Sequence, residues 1–192
     1  MVQDPWSGAL LIHKPEGITS FGVIEELRKC YPKKEAPRFG HGGTLDPFAT
    51  GLLVILVGRA SKLARHFLGS KKTYEGVVRF GATTIPGDPT EAETETTDRL
   101  PDSLEALNQS AHLWTQQAYL QVPPMHSAKK VDGKPLYLLA RAGLEIEREP
   151  KTCHLYQFRF LNYEAPHAKF SVECSSGTYV RTLAQDFGRF MG

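Results

Sequence analysis

The sequence predicts an α+β fold, a mixed and largely antiparallel sheet with helices packed around it, and three observations carry that expectation. Residues 74–80 alternate, with Tyr74, Gly76, Val78 and Phe80 on one face and Glu75, Val77 and Arg79 on the other, which is the period of a half-buried strand. Ala168, Phe170, Val172 and Cys174 repeat the alternation near the C-terminus. Val23, Ile24, Leu27, Cys30 and Tyr31 recur instead at helical spacing. At 192 residues and 41% hydrophobic content the chain can bury one good core and is too short for two large domains. One domain over 1–192 is the expectation.

Ala9 to Ile12 reads as a short apolar strand leading into HKPEGITS, residues 13–20. Pro15 and Gly17 make a turn there, Ser20 or Thr19 caps the next helix, and Pro32 stops it. Residues 32–39, rich in Pro and Lys, read as a surface linker. The chain is organised around the stretch GHGGTLDPFATG at 40–51, with four glycines, one histidine and one aspartate. Pro47 biases Asp46 towards an extended backbone, so the carboxylate is held. A held carboxylate serves as nucleophile, general base or cap of its own loop, and spacing alone leaves these open. No Gly-Lys-Ser/Thr comes after it, which argues against a phosphate loop.

Leu52 to Val57 reads as a buried strand closed by Gly58. Ser61 is expected to cap a short helix with Leu63, Ala64, Phe67 and Leu68 inward and Lys62 and Arg65 outward. Asp102 is expected to cap a helix that buries Leu104 and Leu107, and a strand near 118–122 comes next. Residues 136–142 form an amphipathic helix ended by Gly143. Residues 153–160 read as a strand with Tyr156, Phe158 and Phe160 on one face, antiparallel to 168–174. SSGTYVRTLAQDFG, 175–188, turns from strand into helix with Arg181 in its first turn. Leu183, Ala184 and Phe187 make the surroundings of Arg181 half-buried, and a carboxylate partner is expected there.

The formal net charge is only +2, but its distribution is uneven. Residues 47–74 hold no acid, while Arg59, Lys62, Arg65, Lys71 and Lys72 gather there; 88–98 holds five acids and no base. Such segregation gives one face a positive potential that suits a phosphate backbone, with an ordinary solvated helix face as the competing reading. Cys30, Cys153 and Cys174 lack paired spacing, which points to a reducing, cytoplasmic setting and no structural zinc. Seven scattered histidines without H-E-x-x-H disfavour a metalloenzyme. The absence of a second acid between Asp46 and Glu75 disfavours a two-carboxylate glycosidase.

Five blocks, in order, resemble the TruB-type tRNA pseudouridine synthases: Lys14-Pro15-x-Gly17-x-Thr19-Ser20, GHGGTLDPFATG, Lys72-Thr73-Tyr74, PPMHSAKKVDGKPLYLLARAG at 123–143, and SSGTYVRTLAQDFG. The resemblance implies the pseudouridine synthase fold, with an active site in a basic cleft across one sheet face. It implies Asp46 as the catalytic residue, Arg181 as the cation that keeps it ionised, and Tyr74 as the ring that stacks on the target base. His41 would fill the gap left in the RNA, and Gly42, Thr44, Lys14, Lys130, His126 and Leu183 complete the implied substrate-binding set, Lys14 by supporting the active-site loop. Two departures stand out. His126 occupies a position where the family has Tyr, and in GATTIPGDPTE the residues Pro86 and Glu91 replace the Thr and Gly of T-x-T-x-D-x-x-G.

The implied activity is isomerisation of uridine to pseudouridine in the T loop of tRNA, position 55 by tRNA convention, by base flipping. The T-arm stem-loop is the partner, the enzyme acts as a monomer, and neither cofactor nor metal takes part. Whether Asp46 attacks the anomeric carbon or removes a ribose proton stays open. The chain ends at Gly192, where the family continues into an Ala-His-x-x-x-Leu-Arg stretch and a small RNA-binding domain, so a C-terminal truncation is expected. A non-catalytic RNA-binding module or an inactive fragment is the rival reading.

Overall fold

The computed structural model describes residues 6–192 apart from Lys33, Ala128, Asp132 and the side chain of Lys130. Two compact units succeed one another along the chain, Met1–Ser70 and Lys71–Gly192. Among the described residues every strand pair is antiparallel, and this combination of antiparallel sheet with helices is that of the α+β class.

The first unit runs β1 (Gly8–Lys14), α1 (Ser20–Lys29), β2 (Phe39–His41), β3 (Gly51–Val57), a 3-10 stretch (Gly58–Leu63) and α2 (Ala64–Gly69). Its sheet has the order β1-β3-β2, with β1 paired to β3 from Gly8–Val57 through Lys14–Gly51. Thr19 caps α1, its hydroxyl accepting from the Gly22 amide at 2.8 Å. Val23 and Ile24 pack on Phe39, Leu53, Ile55 and Val57 to form the core, and Tyr31 meets Trp6 and Phe39 edge-on. Phe39 is therefore not linker, as the sequence suggested, but the first residue of β2, buried and paired with Val57.

The helix after β3 also departs from expectation. It starts as a 3-10 turn that Ser61 does not cap, and among the described residues the buried Ser61 hydroxyl has no partner. Three residues per turn instead of 3.6 rotates the apolar positions off the anticipated face. Leu63 is accordingly 50% and Leu68 48% exposed.

The second unit begins with β4 (Lys72–Arg79), β5 (Ala82–Thr84), β6 (Glu93–Thr96), α3 (Leu104–Thr115) and β7 (Tyr119–Gln121). It continues through the hairpin strands β8 (Lys130–Val131) and β9 (Lys134–Pro135), then α4 (Leu136–Arg141), β10 (Lys151–Cys153), β11 (Leu155–Glu164), β12 (His167–Cys174) and α5 (Val180–Met191). The main sheet has the order β11-β12-β4. Its inner face presents the alternating residues read from sequence in β4 and β12. Phe158, Phe160, Phe170, Val172, Leu107, Leu183 and Phe187 make the core. Each such side chain contributes about 1.5–3 kcal/mol when fully buried. Trp114 closes one end of this core against Tyr119, Phe187 and Phe190.

Two expectations fail here for local reasons. Ser103, not Asp102, caps α3, accepting from the Ala106 amide. Tyr156 is 44% exposed because a register shift between Leu155 and Gln157 breaks the alternation, turning Tyr156 outward and Leu155 inward. Outside, Tyr156 receives the Lys71 ammonium over its ring at 3.7 Å. No helix among the described residues is long and apolar enough to cross a membrane.

Asn108 of α3 ties that helix to β11 with both ends of its amide. It donates to the Phe160 carbonyl at 3.1 Å and accepts from the Phe160 amide at 2.9 Å. Asn108→Leu strands both backbone groups, and urea denaturation is expected to show a loss of about 1–3 kcal/mol. The cysteines give a second check. Cys30 is exposed, Cys153 and Cys174 are buried, and burial pushes the Cys174 thiol up to about 11. Iodoacetamide at pH 8 should modify Cys30 in the folded protein and spare Cys174, as peptide mass mapping would show.

Candidate active site

Asp46 lies half-buried in the loop between β2 and β3, and the segment 14–20 holds it from both sides. Lys14, the last residue of β1, is fully buried, and its Nζ donates to the carbonyls of Pro15 at 2.8 Å, Ile18 at 2.8 Å and Pro47 at 3.1 Å. Burial lowers the Lys14 pKa, and the nearby charges of Asp46 and Glu16 oppose that shift. An ammonium has three donors. All three are spent on backbone, so Lys14 supports the loop and has no hydrogen left for a substrate.

Gly17, at φ 86°, adds its amide to the same Pro47 carbonyl at 2.8 Å. On the other side of Asp46, the Ser20 hydroxyl accepts from the Leu45 amide at 2.9 Å and donates to the Leu45 carbonyl at 3.1 Å. The residues immediately before and after the carboxylate are thus anchored to one strand-turn-helix corner. Asp46 itself turns the chain onward, its carbonyl accepting from the Ala49 amide at 3.1 Å.

His41 Nδ1 lies 2.6 Å from the Gly43 carbonyl, which fixes the imidazole against its own loop. Gly42 is buried and donates to the Val54 carbonyl at 2.8 Å. A Cβ on Gly42 would stand 2.7 Å from Cβ of Phe67. Glycine at this position lets α2 lie against the loop. Thr44 is exposed.

The second unit carries the remaining residues. Arg181, second in α5, is 9% exposed, and its guanidinium donates to the carbonyls of Pro86 at 2.5 Å and His126 at 3.0 Å. Pro86 and His126, where the sequence departs from the family pattern, therefore contribute main-chain atoms, which any side chain leaves in place. Asp88 shapes the same loop as Pro86: Oδ1 accepts from the Thr90 amide at 2.9 Å, and the Thr84 hydroxyl donates to the Asp88 carbonyl at 2.9 Å. Tyr74 is half-buried on β4, opposite Val172, with its body against the core.

Leu183, for which the resemblance implies a substrate-binding role, packs inside the second unit. It is 1% exposed within the core and holds α5 to the sheet. Ala128 of the 123–143 block and the Lys130 side chain lie outside the described residues. The first unit thus assembles Lys14, His41, Gly42 and Asp46 around one loop, and the second joins Arg181 to His126 through a carbonyl. Sequence reasoning missed Ser20 as an anchor, although Thr19-Ser20 offers two hydroxyls where a helix cap needs one. Among the described residues no cluster of three or more His, Cys, Asp or Glu side chains is placed to hold a metal ion.

This α+β arrangement is shared with solved structures. One is described as a Cbf5-Nop10-Gar1 complex, with a TM-score of 0.69 and 22% identity, covering 96% of this chain and 44% of that one. Another is an H/ACA RNP bound to a substrate RNA containing 2'-deoxyuridine, with a TM-score of 0.65 and 21% identity, covering 96% and 43%. The fold is the one these structures share. In sequence, residues 28–180 match the TruB family pseudouridylate synthase N terminal domain. The tRNA pseudouridine synthase B of Bordetella avium (strain 197N) is 42% identical over 189 residues, covering 98% of this chain and 76% of the relative. The protein of the same name from Hydrogenovibrio crunogenus (strain DSM 25203 / XCL-2) is 40% identical over 195 residues, covering 100% and 63%. The chain belongs to the TruB family of pseudouridylate synthases.

Ser20→Ala removes one side of the grip on Asp46 while α1 keeps its Thr19 cap. Stranding the Leu45 amide and carbonyl is expected to cost about 1–3 kcal/mol, and pseudouridine formation should fall by more than RNA affinity does. Parallel urea titration, turnover and RNA-binding measurements check this; wild-type turnover would mean that the Lys14 side holds the carboxylate alone.

Proposed function

We propose that this protein isomerises uridine to pseudouridine in the T loop of tRNA, with Asp46 as the carboxylate at the ribose of the target nucleotide. Arg181 is the cation assigned to the reaction, Tyr74 the ring against the detached base, and His41 the side chain that takes the vacated place in the RNA. The observation that carries the reading is the two-sided anchoring of Asp46 by Ser20 and Lys14. Relatives about 40% identical bear the name tRNA pseudouridine synthase B, which supports tRNA as the substrate.

The chemistry demands such a carboxylate. A base within an RNA stack must first be extruded and held by flat groups. The N1–C1′ bond then breaks, uracil turns, C5 bonds to C1′, N1 regains a proton and C5 loses one. Atoms and electrons balance without an external oxidant or reductant. Attack on C1′ and removal of a ribose proton both require an ionised, fixed carboxylate, and the anchored loop supplies the fixing.

Exposed Arg59, Lys62 and Arg65, in a stretch without acids, offer counter-charges for the phosphates of the T arm. The reading places the enzyme in the cytoplasm with tRNA as its partner, acting as a monomer without metal or cofactor.

Incubation with a uridine-containing T-arm hairpin, with subsequent mapping of the product, tests the activity. Tight binding by the wild-type protein without isomerisation would leave an RNA-binding module. Asp46→Asn keeps the size and removes the charge, so RNA binding should persist while turnover falls by about 10²–10⁴-fold or more. Turnover at the wild-type rate by this variant defeats the assignment.

A further inference from the structure

Gln121 is fully buried on β7, 1% exposed, and three hydrogen bonds use both ends of its amide. Its Oε1 accepts from the Tyr179 amide at 2.7 Å, and its Nε2 donates to the Tyr179 carbonyl at 2.9 Å and to the Tyr119 hydroxyl at 3.1 Å. Tyr119 in turn donates to Asp186 Oδ2 at 2.5 Å, so Asp186, on the second turn of α5, is bound into the same set. Burial, with the Asp186 hydrogen bond, raises the Tyr119 pKa far above its ordinary value, so the phenol stays protonated across the working range of pH.

That fixes the direction of the whole chain of hydrogen bonds. The phenol spends its proton on Asp186 and presents a lone pair to Gln121, which determines which end of the amide is NH₂. Tyr179 is the residue at which α5 begins, and no side chain of its own caps that helix. The Tyr179 carbonyl also accepts the first helical bond, from the Leu183 amide at 3.0 Å. Arg181 comes two residues later, so the backbone orientation at Tyr179 sets where its guanidinium starts.

We propose that Gln121 is a positioning residue for the reaction: by gripping the amide and carbonyl of Tyr179, it holds the start of α5 and thereby Arg181 in working position. The inference rests on the reading of Arg181 as the cation at the reacting centre. The grip is like that of Ser20 on Leu45 in the first unit, with a backbone residue next to, or two before, a charged group held at both its polar atoms.

The test compares wild-type, Gln121→Met, Gln121→Glu, Arg181→Ala, Arg181→Lys and the Gln121→Met/Arg181→Lys double variant on the T-arm hairpin, in single-turnover and binding assays. Gln121→Met removes every polar contact. Gln121→Glu keeps the shape and the acceptor for the Tyr179 amide and loses the donors, so it reports even if the first variant folds poorly. The expected result is a fall in the chemical step on the order of 10²-fold for Gln121→Met, with RNA affinity little changed. Arg181→Lys retains a cation, and adding Gln121→Met to it should lower the rate by much less than it does in the wild type, because residues acting as one unit are non-additive.

Equal rate losses in the two backgrounds, or a loss of RNA affinity that accounts for the rate, would show a general structural role and overturn the proposal. Full turnover by both Gln121 variants alongside an impaired Arg181→Ala would overturn it while sparing the Arg181 reading. Full turnover by Arg181→Ala removes that reading and the proposal with it.

Discussion

One buried ammonium governs the geometry of the first unit. Taking Lys14 out of water carries a penalty that falls on its charged form, and three carbonyls and the nearby Asp46 charge offset it. The arrangement closes the turn after β1, sets the entry of α1 and fixes Pro47, all with a single side chain. A glycine-rich loop has little apolar surface with which to order itself. Here it is ordered by polar anchors at its two flanks, and the carboxylate between them inherits that order.

The same device recurs. Ser20 on Leu45, Asn108 on Phe160 and Gln121 on Tyr179 each pair one side chain with both the amide and the carbonyl of one distant residue. Irregular backbone must satisfy its donors and acceptors somewhere, and a group that both donates and accepts does so while fixing direction. Backbone partners also explain how Pro86 and His126 can depart from the family pattern. Arg181 takes their carbonyls, and those oxygens come with any residue.

Elements with one buried face were legible from sequence, because burial leaves a period. β4 and β12 kept to their alternation and Val23, Ile24 and Leu27 to the helical spacing of α1, whereas Cys30, expected on the same face, is exposed past the end of the helix. Local exceptions to a period were not legible: the register shift that turns Tyr156 outward, and the 3-10 entry that exposes Leu63. Phe39 was hidden by its Pro- and Lys-rich approach, and Ser103 by a neighbouring Asp102 of equal capping ability. The site divided in the same way. Asp46 was marked by its glycine-rich surroundings. Ser20 and Gln121 were unmarked because their partners lie 25 and 58 residues further along the chain, and no local pattern records a meeting at that separation.

The placement of the two tryptophans gives each unit its own intrinsic optical label. Trp6 belongs to the first unit, edge-on to Tyr31 and 52% exposed, whereas Trp114 belongs to the second and is ringed by Tyr119, Phe187 and Phe190. Their emission differs at the outset, one indole largely wet and the other enclosed by aromatic rings. Fluorescence of the unmodified polypeptide can therefore distinguish melting of the half that holds the carboxylate from melting of the half that holds the guanidinium.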